Sequence, residues 1–293
     1  MTVVVATRDR PDSLSETIAA LRHAIEPGDE VVIADSASAD ARTRDVAQAA
    51  GVRYVRSEVP GASVARNLGA SLASGEVIAF TDDDCRPRPG WSRALAAAYV
   101  DPEVAFVTGP VVGADGGTAA DTVDLGRVVW RWPADPGLMG SGASMSVRRA
   151  AFEAVGGFDE RIGPGARFQA PEEHELVLRL LRAGWAAAFA SGAIVDHHDH
   201  RDRWTTLRLF FLYGVRAGAL CAMCRSLDPA HARRLLWDRL WRRGVRLAAE
   251  DLRHGRKEAS ARAVVMAAGV VLGRVSGRRL RSRPVPHRGL PPI

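Results

Sequence analysis

Glu76-Val77-Ile78-Ala79-Phe80-Thr81-Asp82-Asp83-Asp84 runs from an apolar strand straight into three carboxylates. A short apolar run with no polar break reads as a strand covered on both faces, as in a parallel sheet. Similar runs lie at Thr2–Ala6 (TVVVA), Val31–Ala34, Val52–Val55 and Val104–Val107. Helical patterns separate them over 13–24, 41–50, 64–73 and 91–99, and Ser13 with Glu16 fits a capping box for the first. This alternation, at a spacing of about 25 residues, predicts βαβ units on a mostly parallel, Rossmann-like sheet flanked by helices, an α/β fold. Such sheets bind ligands at the carboxyl ends of their strands. The polar segments Thr7–Asp9, Asp35–Asp40 and Asp82–Asp84 therefore fall where a ligand would sit.

Further on, residues 109–142 read as Gly- and Pro-punctuated loops with one short helix. The segments 148–155 and 172–183 read as helices, and 186–190 as a small-residue strand. From Arg203 to about Gly273 the pattern is helical, and an Arg- and Pro-rich tail follows. The division expected is a catalytic domain over 1–205 and a basic helical region over 206–293.

The 293 residues are 47% hydrophobic and 25% charged, which excludes a disordered chain. Three cysteines are too few for a disulfide scaffold, and with no secretory signal at the start a reducing cytoplasm is expected. No uninterrupted apolar run reaches the roughly 18–20 residues that cross a bilayer. That reading excludes a multi-span synthase but not a protein lying on a membrane. Charge is divided unevenly. Residues 1–200 carry 19 basic and 28 acidic groups, and residues 201–293 carry 21 and 6. A net +15 confined to the last third argues against a nucleic-acid binder and for different partners of the two parts. Arginines interleave there with Leu235, Trp237, Leu240 and Trp241, which suits an interfacial helix on an anionic membrane. The alternative is packing on the catalytic domain or on a second copy, as a homodimer. The expected location is the cytoplasm, with the inner face of the cell membrane as the surface in the first case.

Alternating residues of an extended segment point the same way, so Asp82 and Asp84 are expected to converge while Asp83 faces elsewhere. Two hard oxygen ligands suit Mg²⁺ or Mn²⁺, with a phosphate completing the shell; the plain alternative is a solvated acidic turn. Asp35, among small residues, suits hydrogen bonds from a base or ribose, while Ser38 or Asp40 suits a helix N-cap. Arg66 suits a phosphate or an ion pair with Asp82 or Asp83. Glu172 and Glu173 open a helix, where carboxylates suit the dipole; adjacent, they also raise one another's proton affinity, as a general base requires. His197, His198 and His200 offer an imidazole to a metal or form a polar loop. Cys221 and Cys224 read as core, and Trp237 and Trp241 as core or interface.

The order of the segments VVVATRDRP (Val3–Pro11), VVIADSASAD (Val31–Asp40), GASVARNLG (Gly61–Gly69), FTDDD (Phe80–Asp84), GASMSVRRAAFEAVGGFDE (Gly142–Glu160) and EEHELVLRLLRAGW (Glu172–Trp185) resembles glycosyltransferase family 2, of GT-A fold. The resemblance covers about residues 1–205. It implies an inverting, hexosyltransferase-type enzyme that uses Mn²⁺ or Mg²⁺ and a nucleoside-diphosphate sugar, a UDP-sugar favoured. By position, Thr7, Arg8 and Asp9 match the loop beside the base and Asp35 the base-binding acid. Arg66 matches a diphosphate contact, Asp82 and Asp84 the metal-binding pair around Asp83, Glu173 the base beside Glu172, and His198 the late metal-side histidine. Two departures stand out: a glutamate where the base is more often aspartate, and a single acid at the end of the second strand. A Gln-x-x-Arg-Trp signature of processive synthases is replaced by His200-Arg201-Asp202-Arg203-Trp204, which points to single transfer. The competing readings are a nucleotidyltransferase, disfavoured by the glycine-free Thr7–Pro11 loop, and a non-catalytic sugar-nucleotide binder, which would need no base.

Overall fold

A computed structural model describes residues 1–113, 128–135, 139–166, 168, 170–198 and 203–283. Strands β1 (Thr2–Thr7), β2 (Glu30–Ser36), β3 (Arg53–Ser57) and β4 (Val77–Asp82) lie parallel in the order β3-β2-β1-β4, as the apolar runs predict. The register sets Thr7 beside Asp35 and Ala6 beside Asp82, so the polar strand ends share one level at the carboxyl edge. Helices α1 (Pro11–Ala24), α2 (Arg42–Ala49) and α3 (Ala62–Ser71) connect them. Along β1, Val3 and Val5 enter one core with Leu14, Ile18 and Trp91, and Val4 enters the other with Phe80 and Phe158. The period of two thus fills both layers from one strand.

The predicted capping box does not form. Pro11, with φ already set for a helix, occupies the first turn of α1, while the Ser13 hydroxyl donates to the Asp83 carbonyl and Glu16 pairs with Arg86.

Beyond β4 the described sheet continues β9-β6-β10-β8, with β6 (Val104–Thr108), β8 (Val129–Trp130), β9 (Met145–Arg148) and β10 (Ala186–Phe189). Strand β9 is antiparallel to both β4 and β6 and sits at the centre of the sheet. The sequence reading started a helix at Arg148; the helix, α5 (Arg149–Ala154), begins one residue later, after a strand too short to show its alternation. A small second sheet joins β5 (Cys85–Pro87), β11 (Val195–His197) and β7 (Val111–Gly113). It pairs His197 with Cys85, and so brings a histidine distant in sequence to the residue after Asp84. Helices α4 (Trp91–Ala97) and α6 (Glu172–Arg182) pack on the sheet.

The last third is helical, as expected: α7 (Arg203–Cys224), α8 (Pro229–Trp237), a π-helical stretch Asp238–Arg246, α9 (Leu247–Arg253) and α10 (Lys257–Ser276). Cys221 and Cys224 are buried with Leu178 and Leu220, the core role expected of them. Trp237 and Trp241 are not core: they stack on each other, ring centroids 5.7 Å apart, with much of both rings in solvent. The apolar-run count also misled. Leu207–Cys224 and Lys257–Arg279 are each long and apolar enough to cross a membrane. Glycines and a few charges interrupt the strict run, yet the mean hydropathy of the two helices still reaches 1.5 and 1.4.

Helices α7 and α10 meet through glycine. A β-carbon at Gly269 would strike the Phe211 carbonyl, one at Gly273 the Val215 carbonyl, and one at Gly277 the Ala219 backbone. Gly214 and Gly218 are closed in the same way by Met266 and Val270. The partners advance together by four residues, so the two helices run parallel with their backbones in contact.

Candidate active site

A cavity of about 520 Å³ opens at the carboxyl edge between β1 and β4, where the register gathers the polar strand ends. The segment after β1, the end of β4, strand β11 and helices α3, α6 and α7 supply its charged groups.

The first group forms around Arg10. Its guanidinium reaches Asp83 at 3.1 Å and Asp84 at 2.9 Å, supplying the positive charge that neighbouring carboxylates require. Asp83 is buried and also accepts the Thr7 hydroxyl at 2.7 Å; burial lifts its carboxyl above the usual range. Strand β4 ends at Asp82, and Asp83-Asp84 form a turn, so the two-residue alternation stops there. Asp83 and Asp84 therefore converge, while Asp82 turns to Arg66, a correction to the pairing expected from the sequence.

The second group centres on Arg66, which is buried in α3. It donates to Asp82 at 2.7 Å and to Glu172 at 2.5 Å. Its Nε is buried with no hydrogen-bond partner, and its guanidinium lies over the Phe158 ring. Burial, aided by the charge of Glu173, raises the Glu172 carboxyl to about 7 against the pull of Arg66. Glu173 differs from its neighbour. It faces the cavity beside Gly142, and among the described residues its carboxylate has no hydrogen bond or ion pair. A β-carbon at Gly142 would stand in ordinary contact with the Glu173 side chain, 3.6 Å from its carboxyl carbon. His174 is held at 3.2 Å from the Gly140 carbonyl.

A third group offers metal ligands. Asp84 Oδ1 lies 3.5 Å from His197 Nε2 and 3.6 Å from Cys85 Sγ, and the ligand atoms of all three fall within 4.8 Å of one another. The carboxylate and imidazole suit a divalent ion such as Mn²⁺. Burial raises the Cys85 thiol well above its ordinary range, which keeps it protonated and a poor ligand. The structure thus places His197 against Asp84. His198 meets the same residue only through its backbone N–H, 3.0 Å from the Asp84 carbonyl oxygen, and His200 lies outside the described residues. Asp82, paired with Arg66, stands outside this cluster.

The nucleotide-side residues occupy the loops after β1 and β2. Asp35 is fully buried, accepting Ser38 N–H at 2.8 Å and Tyr54 O–H at 2.7 Å. Burial and the Asp35 charge push the Tyr54 phenol up to about 12. Asp9, at φ 56°, accepts Ala39 N–H at 2.7 Å, and its own N–H donates to Ser38, which ties the two loops together. Arg8 lies half exposed at the cavity wall, 3.4 Å from Asp9. Asp9 and Asp35 shape this wall from behind and do not line the cavity; Thr7, Arg8 and Ser36 line it.

Two cavity residues escaped the sequence reading. Arg10 was signalled by the charge that Asp82–Asp84 demand. Arg216 enters from α7, has no hydrogen bond or ion pair among the described residues, and carried no local signal.

Residues 2–156 match the sequence profile of glycosyl transferase family 2. The chain belongs to that family. It is similar to the pre-mycofactocin glycosyltransferase of Mycobacterium tuberculosis, 30% identical over 75% of this chain and 47% of the relative. It is also similar to a glucosyl-dolichyl phosphate glucuronosyltransferase of Haloferax volcanii, 26% identical over 72% and 74%. The chain spans about half the length of the mycobacterial relative. A mannosyltransferase of Pyrobaculum calidifontis, solved with GDP-Man and Mn²⁺, superposes with TM-score 0.60 at 15% identity over 92% of this chain and 86% of that one. TarS of S. aureus with UDP gives TM-score 0.58 at 14% identity over 90% and 89%. These likenesses show the family 2 fold, with its helical C-terminal region beside the sheet.

Proposed function

We propose that this family 2 member is a metal-dependent inverting glycosyltransferase. It moves a sugar from a nucleoside-diphosphate donor, a UDP-sugar favoured, to an acceptor hydroxyl, one sugar at a time. The observation that carries the reading is Glu173, an unpaired carboxylate that shares one cavity with Asp84 and His197. The donor class is supported by the mannosyltransferase solved with GDP-Man and by TarS solved with UDP. The absent Gln-x-x-Arg-Trp signature supports single transfer.

Asp84 and His197 would hold the Mn²⁺ or Mg²⁺ of this reading, with Asp82 in reserve beside them. Bound there, the ion would offset the charge that builds on the departing diphosphate. Glu173 accepts the proton of the acceptor hydroxyl. The hydroxyl oxygen forms its bond to the anomeric carbon opposite the leaving group, and the bond to the diphosphate breaks with its electron pair, which gives inversion. Glu172, fixed by Arg66, holds the start of α6 so that Glu173 faces Gly142. Arg8 and Arg216 are the cations placed for phosphate oxygens.

The test is to incubate the full chain with UDP-, GDP- and dTDP-sugars and Mn²⁺, following thermal stabilisation and release of nucleoside diphosphate. Stabilisation by one donor class and metal-dependent release, lost in Asp84→Ala, is expected. Stabilisation without turnover under any acceptor would indicate a binding protein. A product that retains the phosphoanhydride would indicate a nucleotidyltransferase.

A further inference from the structure

The outer face of α10 is apolar from Ala261 to Val275. Ala261, Val264, Ala268, Val271, Leu272 and Val275 recur at helical spacing and are all exposed, with no charge among them. A helix washed by water on that side would carry charged residues there. The helix has 20 residues, about 30 Å, and only 22% of the apolar window in the segment Lys257–Arg279 that contains it is buried, although its hydropathy reaches that of a membrane span. Val264, Val271, Leu272, Val275 and the stacked Trp237 and Trp241 are between 48% and 63% exposed. Beside them stand exposed Arg233, Arg234, Arg253, Arg278 and Arg279, free of ion pairs among the described residues. The surrounding region carries 21 basic against 6 acidic residues.

We propose that this face, α10 with the Trp237–Trp241 ridge, seats on an anionic phospholipid bilayer. The apolar stripe meets acyl chains, the tryptophans sit at headgroup depth, and the arginines meet lipid phosphates. The occupant follows from charge: residues 201–293 carry 21 basic against 6 acidic residues, and the exposed arginines beside the stripe complement an anionic leaflet. The pair lies on the bilayer and does not cross it. Helix α7 is packed on the catalytic domain through Ala219, Leu220, Cys221 and Met223, and its Arg216 faces the cavity. Membrane contact on the outer face of α10 thus sets the helix pair between the bilayer and the cavity.

The experiment is co-sedimentation of the full chain with vesicles of phosphatidylcholine alone, or with about a third phosphatidylglycerol, at low and moderate salt. The protein is expected to pellet with the anionic vesicles, more weakly at moderate salt. The variant Val271→Glu/Leu272→Glu is expected to lose about tenfold or more of that binding while keeping its circular dichroism. If that variant does not fold, the blue shift of tryptophan fluorescence on anionic vesicles, lost in Trp237→Phe/Trp241→Phe, is the equivalent readout. The proposal is overturned if the wild-type chain stays in the supernatant under every condition, or if the glutamate variant pellets as wild type does. It is overturned as well if light scattering without lipid shows a dimer that the glutamate variant dissociates, for then a second copy covers the face. None of these outcomes depends on the enzymatic reading, since partition is measured without substrate.

Discussion

The carboxyl edge of β4 and the outer face of α10 depart from ordinary partition in opposite directions. At the first, charge is buried: Arg66 and Glu172 are sealed from water, and Asp83 nearly so. At the second, apolar side chains are exposed from Ala261 to Val275. The buried charges are tolerated because almost every polar atom has a partner, with Arg66 Nε the exception. The exposed apolar stripe has no partner among the described residues. The buried charges are neutralised by folding, whereas the unpaired face is finished by something outside.

That contrast can be broken by mutation. The largest effect is expected from Glu173→Gln, which keeps size and removes basicity. It should lower kcat by about 10²–10⁴-fold while the thermal shift on donor binding persists, read by steady-state kinetics beside melting curves. A variant with wild-type kcat would move the base elsewhere.

Arg66→Met removes the bridge between Asp82 and Glu172. It should destabilise the fold by about 3–5 kcal/mol, and Arg66→Met/Glu172→Gln should recover part of the loss in denaturant unfolding. Additive single effects would show that the pair is not coupled.

Glu172 also makes stability depend on pH. Its folded carboxyl keeps a proton up to about 7 against an ordinary value of 4.5. Between these values the folded state binds more protons than the unfolded one, so this contribution is greatest below pH 4.5 and declines as pH rises toward 7. The melting temperature of the wild type should fall relative to that of Glu172→Gln across that window; parallel curves would refute the assignment.

Gly273→Ala presses a methyl group on the Val215 carbonyl and should cost about 1–3 kcal/mol, seen as a lower melting temperature. On the far side of the same helix, Val264→Lys should change stability in lipid-free buffer by no more than about 0.5 kcal/mol. A large loss there would mean that the outer face is covered.

The parallel half of the sheet was legible because β1, β2 and β4 are continuous apolar runs, each covered on both faces. Strands β5, β7, β9 and β11 were not, for each has three or four residues and owes its strand state to neighbours far away in sequence. The site followed the same division. Asp84, Glu173 and Arg66 announced themselves through local charge patterns. The choice of His197 over His198 depends on the pairing of β11 with β5, and the convergence of Asp83 with Asp84 on a turn that ends the alternation. Arg216 is invisible locally because its role comes only from how α7 lies against the sheet.

The glycine seam has a mechanical consequence. Gly214 and Gly218 stand two residues either side of Arg216, so the seam and the cavity meet opposite faces of α7. With backbone carbonyls lodged against α-carbons at four-residue steps, α7 cannot slide or roll against α10 by one residue without driving a side chain into a main chain. The seam works as a keyed shaft: it fixes the height of the Arg216 guanidinium in the cavity and ties any displacement of α10 directly to it.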